Sequence, residues 1–136
     1  MSFNYYYLIL IFSLFFSNSE GKLDDCPKSP NCVCTKATKA RKKMKPIVYQ
    51  QTAAEATTIL KNLMANNLNS KLIFEDQGFL HFEVTTKTGK FTDDVVFQLD
   101  DHNKLIHFRS ASRVGYSDLG ANRRRMKRVT KWFASF

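Results

Sequence analysis

Between residues 71 and 112 apolar and polar positions alternate in four runs, about 71–76, 79–86, 91–99 and 104–112. A period of two is that of strands with one buried face. Turn-forming residues separate the runs, at Asp76-Gln77-Gly78, Thr88-Gly89 and Asp100-Asp101-His102-Asn103. Each link is short enough for an antiparallel hairpin. Upstream, Pro46-Ile47-Val48-Tyr49 predicts a short first strand, and Thr52-Ala53-Ala54-Glu55 predicts a capping box. Ala53, Ala56, Leu60, Leu63 and Met64 then recur at helical spacing, so a helix is expected to about Asn67. A last helix is expected to start near Ser117 or Asp118, either of which can cap it. Its inward stripe is Leu119, Asn122, Met126, Val129 and Phe133, with Arg123, Arg124, Lys127, Arg128 and Lys131 around the other side.

The loops suggest a register in which Glu75 closes on Phe79, Lys87 on Lys90 and Leu99 on Lys104. One sheet face then collects Leu72, Phe74, Leu80, Phe82, Val84, Val95, Phe97, Leu99, Ile106 and Phe108. On the other face one row reads Lys71, Glu83, Asp94, Arg109 and the next Ile73, His81, Val96, His107. A slip of one residue would scatter the apolar set, which is why the pairing should be well specified. The expected fold is therefore α+β, a two-layer sandwich in the order β-α-β-β-β-β-α, with two helices on the apolar face of an antiparallel sheet. TATA-binding-protein-like and helix-grip arrangements have a similar order, a likeness of topology that carries no function.

Composition adds a compartment and a charge. The chain of 136 residues is 43% hydrophobic and 24% charged, which suits one packed domain. Its net charge of +9 lies wholly after residue 19 and favours anionic partners or surfaces. Tyr5 to Phe16 is apolar and aromatic except for Ser13, and Ser17-Asn18-Ser19 satisfies the small-x-small rule of signal-peptide cleavage. That run is shorter than the roughly 20 residues a membrane-spanning helix needs. Residues 1–19 are read as a secretory signal cut near Ser19, which places the protein in a periplasm, the extracellular space or an organelle lumen. An uncleaved N-terminal membrane anchor is the alternative, because only the amino terminus supplies charge before the run. Residues 20–45 are read as a cysteine-containing segment with a basic linker, and 46–136 as the α+β domain.

All three cysteines fall in Cys26 to Cys34. In an exported protein Cys26 and Cys32 are the expected disulfide, since Cys32 and Cys34 stand too close to bridge easily. A metal site would use three thiolates but finds no histidine within the segment, so neither metal nor cofactor is expected. Lys36 to Lys45 holds six basic residues and no acid. It reads as solvated linker or as an arm for an anionic surface, and without an aromatic residue for stacking it argues against sequence-specific nucleic acid.

Two clusters could carry chemistry. Glu83 and Asp94, opposed on the mixed face near His81 and His107, could form an acid-base site, since adjacent carboxylates raise one another's pKa unless a cation neutralises them. The plainer reading is a ladder of cross-strand ion pairs. Arg109, Ser110, Ser112, Arg113, Tyr116 and Ser117, beside the last helix, could hold a carboxylate or phosphate. The plainer reading there is that Arg109 and Arg113 pair with Asp93, Asp94 and Asp118, while Asn122 bonds a backbone group of the 110–117 turn. Ile73, Phe79, Val96 and Leu105 make the mixed face partly apolar. It therefore calls for a cover: the Cys26–Cys34 segment, a second subunit in a homo-oligomer, or an apolar ligand with a charged head.

Three blocks carry a resemblance to a known family. Cys26-Pro-x-Ser-Pro-Asn-Cys32-Val, Asp93-Asp94-Val-x-Phe97 and Arg109-Ser-Ala-Ser-Arg-Val-Gly-Tyr-Ser-Asp-Leu-Gly-x-Asn-Arg123 resemble the signature blocks of domain-of-unknown-function family 1499, over about residues 24–133. The resemblance implies one intact domain, commonly found behind an export signal or membrane segment, and no reaction. Cys34 stands where that pattern has a serine, and Arg123-Arg124-Arg125 makes the last helix unusually basic. The expected function is a non-enzymatic binding module for an anionic or amphipathic ligand, or for a partner protein of the envelope. The alternative is a small hydrolase-like enzyme using Glu83, Asp94 and a histidine, although spacing reveals no activated nucleophile. A weaker third reading is an electrostatic adhesin for anionic lipid or nucleic acid, whose binding would collapse steeply with ionic strength.

Overall fold

The computed structural model describes residues 21–136, so the expected signal sequence and its cleavage site lie outside the described residues. Strands β1 (Cys32–Cys34) and β2 (Ile47–Val48) precede helix α1 (Ala53–Asn67). Strands β3 (Ser70–Asp76), β4 (Phe79–Thr85), β5 (Thr92–Asp100) and β6 (Leu105–Ser112) follow, and helix α2 (Ala121–Phe133) closes the chain. All pairing within the sheet is antiparallel, in the order β1-β6-β5-β4-β3, and β2 lies beyond β1 along the same edge of β6. The fold is the expected α+β layer of helices on an antiparallel sheet. It gains one strand, because the cysteine segment joins the sheet instead of lying outside it.

Each helix is where its sequence signals put it or close by. The Thr52 hydroxyl accepts from the Glu55 N–H at 3.2 Å, and the Glu55 carboxylate accepts from the Thr52 N–H at 2.9 Å, completing the capping box. Ala56, Leu60, Leu63 and Met64 of α1 and Met126, Val129 and Phe133 of α2 share one core with the inner sheet face. Phe97 and Phe108 are wholly buried there. Burying a side chain of that size stabilises a fold by about 1.5–3 kcal/mol. A smaller cluster of Leu23, Cys34 and Ala37 sits on the opposite face. Among the described residues, both clusters are built from residues 23–133.

The β4–β5 register is as expected, with Glu83 opposite Asp94. Two other registers differ. Between β5 and β6 the pairing is displaced by two residues: Leu99 faces Ile106 rather than Lys104, and Arg109 faces Val96 rather than Asp94. A shift of two leaves every side chain on its own face, so the apolar pattern cannot distinguish the two registers. The turn chemistry does, because Asp100 stays in the strand and accepts from the Asn103 N–H at 3.1 Å while Lys104 turns the chain at φ 55°. Between β3 and β4 the turn tightens to Gln77 and Gly78, both at positive φ as a two-residue hairpin requires. A bulge at Ile73 absorbs the lost residue. Phe74 consequently leaves the core side and meets Phe79 edge-on, with ring centroids 6.1 Å apart. Glu75 moves to the helix side and reaches Lys61 at 2.8 Å.

Helix α2 starts three residues later than expected, at Ala121. Leu119 and Gly120 both take left-handed backbone conformations ahead of it, and Leu119 is 85% exposed, off the inward stripe assigned to it. Asp118 still serves the helix start, accepting from the N–H groups of Gly120 and Asn122, each at 2.9 Å.

Candidate functional site

Strand alternation sends the neighbours Asp93 and Asp94 to opposite faces of the sheet, and two networks grow from them. On the helix side Asp93 is buried and takes the Arg125 guanidinium at 2.5 Å. Arg125 also donates to Ser110 Oγ at 3.0 Å and to Asn122 Oδ1 at 2.8 Å, and Ser110 Oγ donates to Asn122 Oδ1 at 2.7 Å. The Asn122 amide in turn donates to Asp118 Oδ2, Ser112 Oγ and the backbone carbonyl of Asn31. Among the described residues no buried side-chain polar atom lacks a partner. A buried charge without its partner is strongly destabilising, so this network bolts α2 to the sheet and to the cysteine segment.

On the open side Arg113, one residue past β6, reaches back over the sheet. Its Nε donates to Asp94 Oδ2 at 2.8 Å, and its Nη2 donates to Asp94 Oδ1 at 2.9 Å and to Glu83 Oε1 at 2.5 Å. His81 Nε2 donates to Asp94 Oδ1 at 2.7 Å. The Arg113 guanidinium holds the Asp94 carboxyl below the usual carboxylate range; burial opposes this and His81 reinforces it. The two carboxylates raise the Arg113 pKa in return. Asp94 is thus a fixed anion and not a group poised to exchange a proton near neutrality. His107 is elsewhere: it faces Gln98, bonds Thr35 Oγ1 at 3.1 Å, and burial pushes its pKa down.

A cleft of about 280 Å³ opens beside this cluster, between the sheet and the segment 21–26. Its floor is Phe79, His81, Asp94, Val96 and Arg109, and Lys22, Leu23 and Asp24 form its wall. The wall is anchored along its length. Gly21 O accepts from Gln98 Nε2 at 3.1 Å, Asp25 accepts from the Thr38 hydroxyl at 2.5 Å, and a disulfide joins Cys26 to Cys32. Leu23 buries itself on Cys34 and Ala37, so part of the cover expected for the mixed face comes from the chain itself. Cys34 is a free, buried thiol whose pKa burial raises, which makes it unreactive. Arg109 donates only weakly, from Nε to the Asp25 carbonyl at 3.4 Å, and makes no ion pair among the described residues.

The residues singled out from sequence are therefore redistributed. Glu83, Asp94 and His81 meet, and His107 does not join them. Arg109 and Arg113 lie on the open face, whereas Ser110 and Ser112 belong to the helix-side network. Tyr116 is 75% exposed and Ser117 Oγ accepts from the Leu119 N–H, so the six do not surround one anion. Of the expected arginine–carboxylate pairs, only Arg113–Asp94 forms, and Arg113 adds Glu83. Asp93 pairs with Arg125, and Asp118 takes backbone N–H groups. Asn122 finds its backbone partner at Asn31 and not in the 110–117 turn. Arg125 lies outside the inward stripe expected from sequence, although its place three residues after Asn122 puts it on that side. Asn31 and the 21–26 wall carry no comparable signal, since their positions depend on long-range pairing.

Among the described residues no group of three or more histidine, cysteine or acidic side chains could hold a metal ion, and no helix is long and apolar enough to cross a membrane. The Cys26–Cys32 disulfide fits an oxidising compartment. No curated protein and no solved structure shows significant similarity to the chain. A family model does match it, across residues 22–133 and hence across the disulfide, the Asp93–Asp94 pair and both networks, and the chain belongs to that family, described as protein of unknown function DUF1499.

Proposed function

We propose that the protein is an exported, non-enzymatic binding module whose open-face cleft receives an amphipathic anion. The observation that carries this reading is Arg109. It is a cation on the cleft floor that makes no ion pair among the described residues, in a cleft it shares with Val96, Phe79 and Lys22. A carboxylate or phosphate head would satisfy Arg109, and an aliphatic tail would cover the apolar floor. Arg113 already neutralises Glu83 and Asp94, and Asp24 on the cleft wall makes no ion pair with Arg109 among the described residues.

Calorimetric titration with dodecyl phosphate tests the reading. The wild type should bind and Arg109→Ala should bind at least about tenfold more weakly, the loss expected for one charge-assisted hydrogen bond. Equal affinity in the two proteins would remove Arg109 from the site.

The His81–Asp94 hydrogen bond favours one second reading, a hydrolase-like site on the same face. Turnover that disappears in Asp94→Asn would establish it. The engagement of Asp94 by Arg113 weighs against it.

A further inference from the structure

At the end of the sheet where β4 turns into β5 and β6 runs out, apolar tips and cations are exposed together. The Arg113 N–H donates to the Thr92 carbonyl at 3.4 Å, carrying the β5–β6 pairing one step past Asp93 and Ser112. That places Phe91, in the β4–β5 turn, beside Val114 in the loop leading to α2. Phe91 and Val114 are 50% and 58% exposed, and Leu119, farther along the same loop, is more exposed still. With Tyr116 they make up four of the eight exposed large hydrophobic side chains among the described residues.

Cations frame these tips. Lys87 from the turn and Arg124, Lys127 and Arg128 from α2 line a groove of about 500 Å³, and Lys90 is exposed in the same turn. Arg124 Nη1 donates to the Leu119 carbonyl at 2.6 Å, tying a cation to an apolar tip. The carboxylates near this end are engaged: Glu83 and Asp94 by Arg113, Asp93 by Arg125, and Asp118 by backbone N–H groups. At the opposite end the hairpin turns carry Asp76, Asp100 and Asp101.

We propose that this basic end docks on the surface of an anionic lipid bilayer. Phe91, Val114 and Leu119 enter the boundary between headgroups and acyl chains, while Lys87, Lys90, Arg124, Lys127 and Arg128 meet lipid phosphates. Apolar side chains at loop tips beside clustered lysine and arginine are what such a surface recognises. A nucleic acid fits less well, because Val114 and Leu119, two of the three tips, are aliphatic and give a base no ring on which to stack. The inference stands apart from the open-face cleft, since Arg109 takes no part in it.

Co-sedimentation of the chain as purified from its host, after the expected cleavage near Ser19, tests it, with vesicles of phosphatidylcholine alone and of phosphatidylcholine mixed with phosphatidylglycerol. The expected result is sedimentation with the anionic vesicles only, weakened when salt reaches about 1 M and the screening length falls to about 3 Å. Phe91→Ser with Leu119→Ser keeps the net charge and should lower partitioning at least about tenfold. Lys87→Glu with Lys127→Glu should lower it at least as much, and Arg109→Ala should leave it unchanged. All four substituted side chains are exposed, so melting temperatures near that of the wild type should confirm intact folds. Wild-type binding that ignores lipid charge would overturn the proposal, as would no binding at all. Serine variants that sediment like the wild type would also overturn it, and full competition by an RNA oligonucleotide in that case would identify a polyanion surface in its place.

Discussion

Asp93 and Asp94 are adjacent in the chain and each is held by an arginine, yet the two pairs serve different ends. Asp93 and Arg125 are almost wholly buried, with side-chain exposures of 4% and 7%, and every partner they have is a hydrogen-bonding group of the fold. Asp94 and Arg113 are 23% and 43% exposed, and Asp94 lines the open-face cleft. Removing a pair from water costs several kcal/mol per ion, which excellent geometry must offset, whereas a half-exposed pair costs and contributes little. The same chemistry is structural on one face of β5 and leaves a surface free for binding on the other.

The largest effect should come from breaking the buried pair. Arg125→Ala strands Asp93, Ser110 and Asn122 together and should cost about 3–5 kcal/mol in urea unfolding. A loss below about 1 kcal/mol would mean that the two faces do not differ as described. Next is the tether of the cleft wall: replacing both Cys26 and Cys32 by serine should cost about 2 kcal/mol, from the restored freedom of a short loop in the unfolded chain. The same change should loosen residues 21–26, measured as faster amide hydrogen exchange at Leu23 than at Phe97.

The smallest effect should come from the open pair. Arg113→Ala should cost about 1 kcal/mol or less at neutral pH. Its pH signature is distinct. The folded pKa of Asp94 is depressed by Arg113, so the stability it contributes is present above the unfolded value of about 3.9 and is lost as pH falls through the folded value. Wild type and Arg113→Ala should therefore differ above about pH 4 and converge as the solution is acidified below it. A difference that persists unchanged in acid would assign the arginine a role independent of Asp94.

Much of this arrangement is legible from the chain alone, for physical reasons that also set the limit. The alternation in residues 79–99 separates inner from outer positions, and the Thr88-Gly89 turn ties β4 to β5, so Glu83 opposite Asp94 follows from local pattern. Arg109 opposite Val96 does not. Displacement by two residues preserves the apolar face, and the deciding contacts, the Asp100 hydrogen bond to Asn103 and the turn at Lys104, are local details without a hydrophobic signature. Phe74 is misplaced for a related reason, because a bulge at Ile73 changes face within an otherwise regular strand. Arg125 escapes notice among three consecutive arginines, where charge suggests solvent and only the spacing from Asn122 indicates the interior. The wall at residues 21–26 is set by a disulfide and by contacts with β5 and β6 that are distant in sequence.

The contrast between the faces is tested most directly by following backbone amides and the His81 ring by nuclear magnetic resonance as dodecyl phosphate is added. Saturable shifts confined to Phe79, His81, Val96, Arg109 and the 21–26 segment, and absent in Arg109→Ala, are the predicted result. Shifts centred on Ser110, Asn122 and Arg125 with the open face silent would contradict the assignment of a structural role to one face and a binding role to the other.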